Sequence, residues 1–198
     1  MKKILMLLSV FIALNASAAP QIGKAAPDFT LTGTDGKTHS LKDLRGKTVV
    51  LEWLNHECPY VVKHYGSGNM QKLQKDYTAK GVVWLSINSS APGKQGNFPA
   101  DKANALTKEK GAAPTAVLID DSGKTGKAYG AKTTPHMYVV NAEGVLVYNG
   151  AIDDKATSDQ ADIKVAKNYV AAALDEVLAE KAVSVASSKP YGCGVKYQ

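Results

Sequence analysis

Two cysteines and four histidines are the side chains of this 198-residue sequence best suited to chemistry near neutral pH. Cys58 is followed by Pro59, and proline is favoured at the first position of a helix because its missing N–H would be unpaired there anyway. It is preceded by Thr48–Leu54, a short β-branched and apolar run of the kind that forms a strand buried on both faces. This order puts Cys58 at a strand-to-helix corner, where free backbone N–H groups and the helix dipole favour an anion. A thiol becomes a nucleophile only as thiolate, so the corner is where a reactive cysteine is expected. His56 is near enough in sequence to add a charge or a proton, while Glu57 opposes the shift.

Cys193 is the only possible intramolecular partner of Cys58. Gly192 and Gly194 flank it in what reads as a mobile terminal arm. The 12 residues from Lys181 span at most about 40 Å, against a radius of gyration of roughly 16 Å, so reach is no obstacle. The pair can be a redox couple, or a permanent disulfide closing a loop worth about 5 kcal/mol in the chain-entropy model. A third arrangement gathers His56, Cys58, His64 and His136 around copper, for which thiolate and imidazole are suitable donors. His136, at the start of a strand, reads more simply as a structural histidine, and Asp153-Asp154 as residues that cap or solvate a turn. Gly93 and Gly96 lack phosphate-cradle spacing, and no Ser/His/Asp order suggests a hydrolase. Neither cofactor nor metal is expected.

The compartment bears on the disulfide question. Lys2-Lys3, the uncharged apolar stretch Ile4–Leu14 and the small residues Ala16-Ser17-Ala18 form a signal-peptide pattern with cleavage after Ala18. The apolar stretch is shorter than the roughly 20 residues needed to cross a bilayer. A periplasmic or secreted protein without membrane association after cleavage is expected, in surroundings that favour paired cysteines. Without Lys2 and Lys3 the chain keeps 22 basic residues against 18 acidic. Arg45 is the one arginine, the lysines are scattered, and no basic stripe with stacking aromatics marks a nucleic-acid binder. Residues 19–183 suit one domain with a substantial core; residues 184–198 form a tail carrying Cys193.

The elements that position these residues follow from patterning. Asp35-Gly36 between Phe29–Leu31 and Thr38–Ser40 predicts a small hairpin. Helical spacing after Cys58 runs through Tyr65, Met70, Leu73 and Tyr77, with a break at Gly66 and Gly68, each costing about 1 kcal/mol in a helix. Val82–Ile87 and Thr115–Ile119 read as buried strands, with a polar loop Asn88–Pro99 and a helix Ala100–Lys110 between them. Asp121–Gly130 reads as a turn with a helical turn, His136–Val140 and Val145–Asn149 as a hairpin, and Asp159–Lys181 as a terminal amphipathic helix. The order is α/β, a central mixed β-sheet flanked by helices.

Several short motifs, in order, carry a resemblance. Ala26-Pro27-Asp28-Phe29-Thr30-Leu31, Asp35-Gly36-Lys37, Leu44-Arg45-Gly46-Lys47 and Val49-Val50-Leu51 resemble the opening of redoxin and peroxiredoxin domains. Cys58-Pro59 after a strand ending in Trp53 resembles the thioredoxin active-site corner, and Thr134-Pro135 is similar to the thioredoxin cis-proline loop. Asn55, Ser90-Ala91-Pro92-Gly93, Ile152-Asp153-Asp154 and Pro190-Tyr191-Gly192-Cys193 resemble an exported peroxiredoxin-like redoxin group of the alkyl hydroperoxide reductase/thiol-specific antioxidant kind. The resemblance implies a thioredoxin-like fold with an N-terminal hairpin and C-terminal tail, a substrate groove bordered by Thr134 and Pro135, and supporting roles for Trp53, Asn55, His56 and Pro59. Departures from the pattern narrow the chemistry. Val61 stands where thioredoxins carry their second cysteine, Leu51 and Asn55 replace a peroxiredoxin's proline and threonine, and Arg45 sits in the opening motif rather than where peroxiredoxins use an arginine to hold their thiolate.

The expected activity is therefore thiol–disulfide exchange, with at most weak peroxidase turnover. Cys58 attacks a protein or small-molecule disulfide, or is oxidised to a sulfenic acid by a peroxide, and Cys193 resolves the product. An exported reductant is implied. The competing readings are a binding protein held by a structural Cys58–Cys193 bond and a copper-binding thioredoxin-fold assembly factor.

Overall fold

A computed structural model describes residues 19–198; the signal-peptide expectation, residues 1–18, lies outside the described residues. Seven strands form one mixed sheet: β1 (Thr30–Gly33), β2 (Thr38–Ser40), β3 (Val49–Trp53), β4 (Val83–Asn88), β5 (Ala116–Ile119), β7 (His136–Val140) and β8 (Leu146–Gly150). Their spatial order is β2-β1-β5-β4-β3-β7-β8. Parallel pairing of β3 with β4 and of β4 with β5 fixes the centre, and β7 joins β3 antiparallel, with Trp53 opposite His136. Helices α1 (Pro59–Gly66), α2 (Asn69–Thr78), α3 (Ala100–Glu109), α4 (Lys124–Tyr129) and α5 (Tyr169–Leu178) cover it.

The period-2 alternation of β3 divides the core. Val49, Leu51 and Trp53 enter one layer with Phe29, Leu118, Tyr129 and Tyr138. Val50 enters the other with Cys58, Val61, Tyr65, Trp84, Met137, Val170 and Leu174, beneath α1, α2 and α5. The expected break after α1 is real: Gly68 takes φ +77°, a left-handed conformation that favours glycine, and α2 starts at the next residue.

The terminal helix is shorter than periodicity predicts. A 3₁₀ turn, Gln160–Lys164, is separated from α5, and Val165, expected to be buried, is 72% exposed. Asn168 ends the run because its side chain accepts from the Ala171 N–H as a helix cap, while Tyr169 N–H donates to the Ile152 carbonyl.

The tail also departs from expectation, since it is docked rather than loose. Asn149 N–H donates to Ala186 O at 3.1 Å, Ser188 N–H to Asn149 O at 3.2 Å, and Ser188 Oγ meets Tyr148 Oη at 2.7 Å. Further on, Cys193–Gly194 form a strand, β9, pairing antiparallel with β6 (Thr133–Thr134), and Thr134 lies opposite Cys193. Beyond it, Val195 N–H donates to Lys132 O, Lys196 O accepts from Ala91 N–H, and Tyr197 Oη donates to Ala131 O. Gly192 serves close packing rather than motion: a Cβ there would sit 2.1 Å from Thr134 O.

Candidate functional site

Cys58 is the extended residue immediately before α1, with φ −79° and ψ 126°, and Pro59 opens the helix. Its approach is shaped by Asn55. The Asn55 side-chain carbonyl accepts from Glu57 N–H at 2.9 Å, and its backbone carbonyl accepts from Cys58 N–H at 3.0 Å. The polar loop before α3 is seated on the same residue. Gly96 (φ +81°) comes so near Asn55 that a Cβ there would lie 2.3 Å from the amide carbon, and Asn88 Nδ2 holds Gly96 O at 2.6 Å. Asn55 thus holds the turn that leads into Cys58.

The Cys58 sulfur has no exposed surface and donates to the Thr134 carbonyl at 2.9 Å. The Thr134–Pro135 bond is cis. Since Cys193 pairs opposite Thr134, the tail brings the second thiol against the first, and both cysteines are free thiols. Their ionisation is divided. Burial pushes the Cys58 thiol up, but the neighbouring Cys193 thiol and the backbone of Val61 and Cys193 outweigh it, leaving Cys58 below an ordinary thiol. Cys193 is pushed up to about 11 by its own burial, then by the hydrogen bond and the charge of Cys58. Cys58 is thus the more acidic of the two thiols.

The other expected residues are distributed around this centre. Trp53 lies in the opposite core layer, its indole N–H donating to Ser89 Oγ at 3.0 Å, so it supports the end of β3 without reaching the thiols. His56 faces away, toward a pocket lined by Leu54, Phe98, Ala103 and Ile119. Burial, then Lys110, pushes its pKa down to about 4, so it is neutral and lends Cys58 no charge. Burial likewise pushes His64 down to about 3, with the Lys63 charge second. His136 bonds Asn149 at 2.8 Å and the Lys132 N–H at 3.2 Å, the satisfied structural histidine expected. The three imidazoles therefore point into separate networks, and among the described residues no three His, Cys, Asp or Glu side chains gather as a metal site. Arg45 donates to Glu143 O on the β7–β8 turn, at the end of the sheet opposite Cys58.

Two constellations escape the motif reading. Glu52, wholly buried on β3, accepts from Tyr65 Oη, Gln74 Nε2, Trp84 Nε1 and Ser86 Oγ. On α1, Lys63 is also wholly buried, donating to Lys155 O at 2.6 Å and lying 3.8 Å from Asp153. Asp153 is no solvated turn residue. It caps the Lys155 N–H at 2.9 Å, is 2% exposed, and accepts from Tyr191 of the tail. Tyr191 Oη is also 3.1 Å from His64 Nε2, and its ring packs on Tyr60. A carboxylate inside an apolar strand and a lysine inside the apolar face of α1 were the available signals.

Residues 22–149 match the AhpC/TSA family. The chain belongs to that family. Among relatives of this AhpC/TSA member, the thiol-disulfide oxidoreductase ResA of Bacillus cereus is 35% identical over 117 residues, covering 52% of this chain and 66% of that protein. The thioredoxin-like protein YneN of Bacillus subtilis is 29% identical, covering 72% and 80%. A hypothetical protein from Sinorhizobium meliloti superposes with a TM-score of 0.74 at 28% identity, over 92% of this chain and 97% of that one. A putative thiol:disulfide interchange protein DsbE from Chlorobium tepidum gives 0.54 at 25%, over 66% and 85%. This AhpC/TSA chain is thus a thioredoxin-fold redoxin with thiol-disulfide oxidoreductase relatives.

The thiol pair makes a measurable claim. Thiolate absorbance should titrate below the ordinary cysteine value of about 8.5 in the wild type. Cys193→Ala, which removes the donor, should move that titration upward; Cys193→Ser, whose hydroxyl can still donate, should move it less. An unchanged midpoint in Cys193→Ala would show that Cys193 does not set Cys58's ionisation.

Proposed function

We propose that this chain is an exported thiol–disulfide oxidoreductase in which Cys58 is the nucleophile and Cys193 the resolving thiol. The observation that carries the reading is the juxtaposition of two free thiols: the Cys58 sulfur lies 2.9 Å from the Thr134 carbonyl, and Cys193 pairs opposite Thr134. The downward shift of the Cys58 thiol and the upward shift of Cys193 agree with it. The ResA relatives and the signal-peptide pattern support it. Cys58 thiolate attacks one sulfur of a substrate disulfide, forming a mixed disulfide and expelling the other sulfur as thiolate. Cys193 then gives up its proton to the expelled thiolate, attacks the Cys58 sulfur and releases the substrate sulfur bound there as thiolate. The substrate is reduced, the Cys58/Cys193 pair is oxidised, and a dithiol reductant restores it. Weak peroxidase turnover is part of the reading, because Arg45 is remote and buried Cys58 is flanked by a carbonyl and a thiol rather than fixed cationic donors.

The docked tail favours one second reading, a permanent structural disulfide. The experiment separating the two is trapping with a model disulfide. Cys193→Ser should accumulate a mixed disulfide on Cys58, identified by mass, while Cys58→Ser accumulates none and leaves Cys193 to alkylate slowly. Equal destabilisation of both variants with no Cys58 adduct would favour the structural bond.

A further inference from the structure

Cys58 has no exposed surface while the tail is docked, so any substrate must take the place of the tail. That place is a built track. Among the described residues β6 has β9 as its sole strand neighbour, and Lys132 O accepts from Val195 N–H. When residues 191–195 lift, these backbone groups lose their partners, and an extended peptide adding as a strand restores them. Register then decides what reaches the sulfur. Cys58 Sγ is 2.9 Å from Thr134 O, so the residue opposite Thr134, now Cys193, is presented to Cys58.

The two positions before it are equally constrained. Gly192 has φ +140°, and a Cβ there would meet Thr134 O at 2.1 Å and Thr134 C at 2.7 Å, both of them backbone atoms that cannot swing aside. Tyr191 fills a slot made by Tyr60 and His64 of α1, the Lys63 ammonium 5.3 Å from its ring centre, and the buried Asp153 carboxylate that accepts its hydroxyl proton. Asp153 Oδ2 has no hydrogen-bond partner. The track therefore selects an aromatic hydroxyl, then glycine, then cysteine.

We propose, resting on the exchange reading above, that the tail is an intramolecular stand-in for the substrate. The protein substrates are disulfide-bearing chains that present an extended Tyr-Gly-Cys-like segment to β6, with the tyrosine in the Tyr191 slot. Cys58 thiolate attacks the segment's cysteine sulfur, and the electron pair of the broken bond leaves on the other sulfur. The returning tail displaces the segment as Cys193, its proton passed to the thiolate expelled in the first step, attacks the Cys58 sulfur; the bond from Cys58 to the segment breaks with its electron pair on the segment's cysteine, so resolution and substrate release are one event. Tail and substrate compete for a single track.

The test uses full-chain Cys193→Ser and a nonapeptide copying residues 189–197, its cysteine carried as the mixed disulfide with 5-thio-2-nitrobenzoate. Two control peptides carry alanine at the position matching Tyr191 or at that matching Gly192. Release of the coloured thiolate gives the rate of attack by Cys58. The parent peptide should react about tenfold or more faster than either control. Adding Tyr191→Ala to the protein should raise the parent rate further while preserving its lead over the controls. Parent and control rates within about twofold of one another, with the small symmetric aromatic disulfide of the same thiol still attacking Cys58, would overturn the track while leaving the exchange reading intact. Failure of Cys58 to react even with that small disulfide would overturn both.

Discussion

Asp153→Ala is expected to destabilise the protein by about 3–5 kcal/mol, the cost of leaving a buried charge without its partner. Lys63 is 0% exposed, and among the described residues its Nζ meets the Lys155 carbonyl, the Asp153 carboxylate and the Tyr191 ring. Removing the carboxylate leaves an ammonium in a site that water does not reach. The same change removes the acceptors of the Tyr191 hydroxyl and the Lys155 N–H. Because Tyr191 stands two residues before Cys193, the loss should reach the site: Cys193 should alkylate faster in Asp153→Ala than in the wild type. Urea melts give the stability, and Lys63→Met combined with Asp153→Leu is the informative companion. Replacing both charges by apolar groups should recover much of the loss, since desolvating the pair already offsets most of its attraction. A loss below about 1 kcal/mol in Asp153→Ala would mean that Lys63 reaches water.

The fold was largely legible because its signals are local. The β-branched runs at Val49–Trp53 and Val83–Asn88, the Asp35-Gly36 turn and the left-handed Gly68 each dictate their element from a few neighbouring residues. Cys58 was legible for the same reason, as a strand-to-helix corner is written in consecutive positions. What escaped depends on residues far apart in sequence. Glycines around Cys193 suggest freedom, yet Gly192 is required by contact with Thr134, 58 positions earlier, which no local pattern reports. Asp153 followed by Asp154 looks like a turn until the fold lays Lys63 and Tyr191 against it. His56 sits two residues from Cys58, but the turn held by Asn55 sends its ring to another pocket. Val165 kept helical spacing while Asn168 supplied a better cap three residues later.

Glu52 should give the other large effect, and it divides into a charge part and a hydrogen-bond part. Burial raises its carboxyl above the ordinary glutamate value of 4.5, and the donors Trp84, Tyr65, Ser86 and Gln74 pull it back without overcoming that burial. The folded chain thus holds this proton more tightly than the unfolded chain. As pH rises past the ordinary value, the unfolded state releases its proton first, so the Glu52 contribution to stability is full below that value. It is then lost progressively up to the raised folded value, with a slope of at most about 1.4 kcal/mol per pH unit. Glu52→Gln carries no such proton. The variant should therefore gain on the wild type steadily as pH is raised through that window, and the difference should level off above it. Tyr65 permits the exchange, because its hydroxyl, 2.9 Å from Oε1, can turn from donating to accepting. Glu52→Ala has no such remedy. It strands the Trp84 indole, the Ser86 hydroxyl and the Tyr65 hydroxyl at once, and with about 1–3 kcal/mol for each buried donor left unmade it should cost about 4 kcal/mol or more. Parallel urea melts of wild type and both variants across the acid range test both parts. A pH-independent difference between wild type and Glu52→Gln would mean that Glu52 titrates alike in the folded and unfolded chains.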